Sequence, residues 1–268
     1  MSFEINDTTS LLLQRSLATA TKNLEVSMVK LSYGKQMTAM EDAANLIISE
    51  EMETQRRGSM QAIENAQTGL NMLSTAESGL SSINNNVQRI RELTIQRENG
   101  TYSEEDRAAI DAEIDGLTED ITRIAKSTKF NDVNLLEDVD SELSLQVGAN
   151  ADKELNSLNA GEALSGGVKA DDLELDRTAP DFLDRIDEAL NNINSKRSEI
   201  GAMQNRLEST VTSLFVQNEN ITSAQSRIID VDVASEVSKL TQNQILQNSS
   251  ASLMAQANQS AAIASILL

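Results

Sequence analysis

The sequence predicts a mainly α protein: a long antiparallel helical coiled-coil bundle forming a rod, with a small β-hairpin, and with N- and C-terminal helices pairing into a terminal coiled-coil domain. Three observations predict it. Pro180 is the only proline among 268 residues, and the composition leans to Ala, Leu, Ser, Asn, Gln and Glu, so few positions break a helical ladder. Apolar residues return at steps of three and four over most of the chain. Two Tyr, four Phe and no Trp leave few bulky groups for a thick core, which favours thin, elongated packing.

Taken in order, the first element is a helix whose face carries Leu13, Leu17, Ala20, Leu24, Met28 and Leu31, with only Arg15, Lys22, Glu25 and Lys30 charged between them. The second, predicted over 45–98, carries Ala62, Ala66, Gly69, Leu73, Ala76, Leu80, Ile83, Val87 and Ile90 and would be on the order of 80 Å long. Asn99 and Gly100 close it, and Ser103 with Asp106 resembles a capping box opening a third helix, striped by Ile110, Ile114, Leu117, Ile121 and Ile124. Periodicity then falls to two at Leu143, Leu145 and Val147 before Gly148, the pattern of a strand in a hairpin. The glycine-rich, acidic stretch 150–178 reads as a surface connection. Next, Ile186, Ile193, Ile200, Leu207, Leu214 and Ile221 recur every seven residues, with Leu190 and Val211 at the partner position. Arg197, Gln204 and Asn218 interrupt the seam, so this is a bundle helix more than a zipper. Last come Val233, Val237, Leu240, Leu246, Leu253, Ala257, Ala261, Ala264 and Leu268, with no charged side chain after Lys239. Residues 1–40 with 230–268 form the expected terminal domain, and 41–229 the expected rod.

Charge and chemistry narrow the function. The net charge is -20, and residues 98–188 hold 25 acidic and 8 basic side chains, so the charge lies in the middle and not at the ends. Such a surface repels phosphates, which argues against nucleic acid or acidic membrane as a partner. With no Cys and no His, the usual nucleophile, general base and transition-metal ligands are missing, so the chain is not expected to be an enzyme or to hold a metal or cofactor. The carboxylates Asp171, Asp172, Glu174 and Asp176 read as a solvated acidic loop rather than a cation site. No basic stretch precedes an apolar one at the start, and no apolar run approaches a bilayer span, so the residues alone suggest a cytosolic protein.

Several motifs resemble those of bacterial flagellin. They are Ser226-Arg227-Ile228 with Asp230, Asp232, Ala234 and Glu236; Ile245-Leu246 and Leu253; Gln256-Ala257-Asn258-Gln259; and the closing Leu267-Leu268. Upstream, the run from Asn84 through Arg89 to Leu93, Phe130-Asn131, Gln146-Val147-Gly148-Ala149-Asn150, and Gly201-Ala202-Met203-Gln204-Asn205-Arg206-Leu207 are similar to further flagellin signatures. The sequence departs from the family pattern at Tyr33-Gly34-Lys35-Gln36-Met37-Thr38 and at Asn45, where the two domains join.

The resemblance implies a structural subunit of the flagellar filament, exported without a cleaved signal peptide and serving motility outside the cell. Both chain ends would line the filament channel, no outer variable domain would be present, and the central insert that carries a zinc protease in some relatives is missing. It implies inter-subunit contacts through Leu13, Leu17, Leu24, Leu31, Val237, Leu240, Leu246, Leu253, Ala257 and Leu268. Implied partners are copies of the same chain, other flagellins, hook-associated junction and cap proteins, and an export chaperone on the C-terminal helix. Arg89, Leu93 and Glu113 match positions through which flagellins meet Toll-like receptor 5, though an Arg and a Glu on adjacent helices are also an ordinary solvated pair. Isolated terminal helices gain too little burial to offset roughly 1–2 kcal/mol of ordering entropy per residue, so they are expected to order on polymerisation. Two alternatives stand beside the filament subunit: a hook-filament junction protein, and a cytosolic coiled-coil adaptor.

Overall fold

A computed structural model describes residues 2–36, 43–137, 143–150, 156–164, 168, 173, 175, 179 and 181–266. Its elements are α1 (Ser2–Tyr33), α2 (Ala43–Glu98), α3 (Glu104–Ser127), β1 (Lys129–Phe130), β2 (Val133–Asn134), β3 (Ser144–Gln146), β4 (Ser157–Asn159), a single turn α4 (Gly161–Leu164), α5 (Phe182–Ile229) and α6 (Val233–Ile266). The mainly α bundle with a small β part is therefore present. The chain divides into two compact units, Met1–Glu53 with Ile221–Leu268, and Thr54–Asn220.

In the larger unit, α2 supplies the spine of the core. Its stripe at Ala62, Ala66, Leu73, Ala76, Leu80, Ile83, Val87 and Ile90 is buried as the three-and-four spacing requires. From α3, Ile110, Ile114 and Ile121 pack on it, and from α5 the heptad residues Ile186, Ile193, Ile200 and Leu207. Cross-helix ion pairs set direction. Arg89 meets Glu113 and Arg97 meets Asp111, which makes α2 and α3 antiparallel; Arg91 meets Asp187 and Arg197 meets Glu77, which makes α2 and α5 antiparallel. Arg197, a break in the heptad seam, thus has an ionic partner on α2. Ser103 caps α3 through the reciprocal box: its hydroxyl accepts from the Asp106 N–H while Asp106 accepts from the Ser103 N–H.

Two antiparallel hairpins complete this unit. Leu145 pairs with Leu158 in the β3/β4 ladder, and backbone bonds from Val147 N–H to Asn156 O and from Ala160 N–H to Leu143 O extend it across 143–147. Gly69 of α2 lets Leu145 approach the helix: any Cβ there would meet the Leu145 side chain. The β1/β2 hairpin is an addition to the sequence reading. Asn131 and Asp132 both take positive φ, 48° and 65°, the backbone a two-residue type I′ turn demands. Helix α2 also starts two residues earlier than the expected Asn45.

The stretch 150–178 is more than a surface connection. Among its described residues Ala160, Ala163, Leu164, Val168, Leu173 and Leu175 are buried in the main core, because the apolar members of an otherwise polar segment fold onto the helices. Asp171, Asp172, Glu174 and Asp176 lie outside the described residues.

In the other unit α1 and α6 run antiparallel side by side: Ser27 meets Glu236, Thr21 meets Gln247 and Ser16 meets Ser250. Gly34, at φ +67°, ends α1 in the left-handed conformation that a helix C-terminus favours. The strand-like turn that follows bonds to the link between α5 and α6, with Val231 N–H donating to Gly34 O and Gln36 N–H to Ile229 O, and Lys35 bridging to Asp230. Asp232 caps α6 by accepting from the Ala234 and Ser235 N–H groups.

Candidate assembly interface

The face that α1 turns to α6 consists of Leu13, Leu17, Ala20, Leu24, Ser27 and Leu31, in steps of four, three, four, three and four. This corrects the sequence reading at one place. Met28 is about half exposed, and Ser27 takes the seam position, because a strict heptad continues through 27 and not 28. Opposite it, α6 presents Glu236, Leu240, Asn243, Gln247, Ser250, Met254 and Ala257, a seam that is mostly polar.

Of the apolar residues of α6, Leu240 and Ala257 lie on the seam, while Val237, Leu246 and Leu253 lie off it and, with Val233 at the helix start, are largely exposed. The step of six from Leu240 to Leu246 turns the pattern by about 120° at 3.6 residues per turn, so it cannot stay on one face. Leu268 lies outside the described residues. With Ile245 at 60 % and, on α1, Leu12 at 70 % exposure, the paired helices keep a second set of large apolar side chains uncovered.

Electrostatics concentrate on one group. The Glu236 carboxylate is 5 % exposed, accepts a 2.6 Å hydrogen bond from the Ser27 hydroxyl and a 3.2 Å one from the Lys239 ammonium. The Ser27 bond, helped by Lys239 and Lys30, holds its carboxyl below the usual carboxylate range despite the burial that opposes ionisation.

Of the three receptor-motif residues, the structure brings two together at the surface. Arg89 donates to Glu113 at 3.0 Å and also to Glu92, and these bonds raise its guanidinium above its ordinary value. Leu93, at 1 % exposure, is a core residue, held inward because it continues the α2 stripe one step beyond Ile90. Among the described residues no helix is long and apolar enough to cross a membrane.

Comparison with known proteins gives these surfaces a family. The bacterial flagellin N-terminal helical region matches residues 6–141 and the bacterial flagellin C-terminal helical region residues 183–267. The chain is 42 % identical to a flagellin of Halalkalibacterium halodurans over 87 % of either chain, and 39 % identical to the flagellar filament 33 kDa core protein of Treponema phagedenis over 92 % of either chain. It is 38 % identical to a flagellin of Bacillus subtilis over 87 % of this chain and 88 % of that one. Among solved structures, the crystal structure of Bacillus cereus flagellin aligns with a TM-score of 0.47 at 26 % identity, covering 60 % of this chain and 94 % of that one.

Proposed function

The chain belongs to the bacterial flagellin family, and we propose that it is a structural subunit that polymerises into a flagellar filament and thereby serves motility. The observation that carries this reading is the uncovered apolar surface of the terminal pair: Leu11, Leu12, Met28, Val233, Val237, Ile245, Leu246 and Leu253 stay largely exposed after α1 and α6 have met. Apolar surface of this kind is stabilised when another chain removes it from water, at roughly 25 cal/mol per Å². Neighbouring copies supply such cover, and their terminal helices order as they are covered. The rest of the subunit brings its own packed core, so it folds before assembly and acts as the rigid part. Function then resides in the stiffness of the polymer, with no chemical step.

The test is electron microscopy of the purified full chain after seeding and salt addition, beside a chain lacking residues 230–268 and a full-length variant with Leu246→Ser and Leu253→Ser. Long filaments from the parent alone, with helix content of the double variant unchanged, are the expected result. Small discrete oligomers from the parent under every condition would overturn the proposal in favour of a junction protein or an adaptor.

A further inference from the structure

We propose that Asn99–Gly100, in the turn between α2 and α3, is a self-modifying site at which the Asn99 carboxamide is converted to aspartate and isoaspartate. Asparagine is a thermolabile residue, and two conditions govern its reaction. The backbone nitrogen that follows it must be unbonded and unshielded, and the side-chain carbonyl must be held over that nitrogen. This is the only Asn-Gly step in the chain, and Asn99, Gly100 and Thr101 are all exposed. The Gly100 N–H donates to no protein group among the described residues, and a Cβ at Gly100 would meet nothing within 4 Å. The Thr101 N–H and hydroxyl both donate to Asn99 Oδ1, at 3.2 and 3.1 Å. The first of these bonds closes an Asx turn, whose ring includes the Gly100 nitrogen and folds the carboxamide back over it. Both donors face the oxygen on which negative charge develops as the nitrogen attacks.

The reaction balances with water as its one co-reactant. Hydroxide takes the Gly100 amide proton, the nitrogen bonds to Asn99 Cγ, and the Cγ–Nδ2 bond breaks, with Nδ2 leaving as ammonia after it takes up a proton. Water then opens the cyclic imide. Cleavage of the new C–N bond gives aspartate, and cleavage of the original peptide bond gives isoaspartate, with a longer backbone. Either product adds a negative charge to a chain already at -20, two residues from the Arg97 that pairs with Asp111. Helices protect comparable steps. Asp115–Gly116 lies inside α3 and Asn194–Ser195 inside α5, where the ladder occupies the following N–H. The turn belongs to the larger unit, which has its own core, so the site depends neither on pairing of the chain ends nor on polymerisation.

The test incubates full-length monomer at mildly alkaline pH and low ionic strength in heavy-oxygen water, beside a sample unfolded in urea. Peptide mapping with fragmentation that separates aspartate from isoaspartate follows both over time. Native protein is expected to accumulate both products at position 99, each carrying heavy oxygen, while Asp115 and Asn194 stay unchanged. In urea, isoaspartate is expected at position 115 as well. Gly100→Ala, which the open space around Gly100 accommodates, should lose most of the product at position 99. Thr101→Val removes the hydroxyl donor and keeps the N–H, and should slow the native reaction roughly threefold, the size of a neutral hydrogen bond, with no change in urea. Native protein that keeps Asn99 intact while unfolded protein loses it overturns the proposal, because the turn then protects the site. Aspartate at position 99 without isoaspartate, the signature of direct hydrolysis, overturns it too, as does a Thr101→Val variant that reacts natively as fast as the parent.

Discussion

Glu236 is acidic, buried and placed in the first turn of α6, where the helix dipole also favours its charge. Its folded-state proton affinity is depressed, first by the Ser27 hydroxyl and then by Lys239 and Lys30, the cations facing it from α6 and α1. The sign follows from linkage. The stabilisation is present in full above the ordinary carboxylate range and is lost as pH falls through the depressed folded value. Filaments of the parent should therefore melt above those of Glu236→Gln at about pH 7, and the gap should close as pH falls below the ordinary carboxylate range. A gap that persists unchanged in acid would show that the charge contributes nothing. In the sequence Glu236 stands out only as a motif residue, and Met28 outranks Ser27 on apolarity alone. The available signal was the alternation of four and three through Leu13, Leu17, Ala20 and Leu24, which continues with a step of three to position 27.

Elements held by regular burial were legible. The stripe of α2 and the seven-residue repeat of α5 each describe a core face, and the structure buries them together as far as Leu207, with Leu214 in a small second cluster beside Ala62. Ile193 sits at the centre of that packing with no exposed surface. Ile193→Ala should lower stability by about 2–5 kcal/mol, since it removes transfer energy and leaves a cavity that rigid helices fill poorly. Denaturant unfolding followed by far-ultraviolet circular dichroism measures this, and a loss near zero would mean the heptad is not a core. Elements set by turns or by distant partners were less legible. The β1/β2 hairpin rests on Asn131 and Asp132 accepting positive φ, a cue only two residues long. The apolar residues of α6 are spaced for more than one face, and only the partner helix selects which face is covered.

At the scale of the whole molecule, charge governs how copies approach. Each chain carries -20, with -17 of it in residues 98–188, so bringing subunits together costs Coulomb energy that added ions screen over about 10 Å at 0.1 M. Polymerisation should quicken as salt is raised, which light scattering of seeded protein at fixed concentration records; slower growth with salt, folding being constant, would contradict a charge-limited assembly. The sequence by itself determined the helical class, the core stripes of α2 and α5, the α3 cap, the β3/β4 hairpin, the uncharged ends and the resemblance to flagellin. Those features depend on local spacing, local bonds or composition, all of which are written in neighbouring residues. Tertiary structure alone decided that Ser27 and not Met28 enters the α1 seam, that α6 meets α1 through polar side chains and keeps Val237, Leu246 and Leu253 outward, that the 150–178 stretch contributes to the core, and that Leu93 is interior. In each case the outcome depended on which surface a distant segment covers, and burial against a partner is not a property of either segment taken alone.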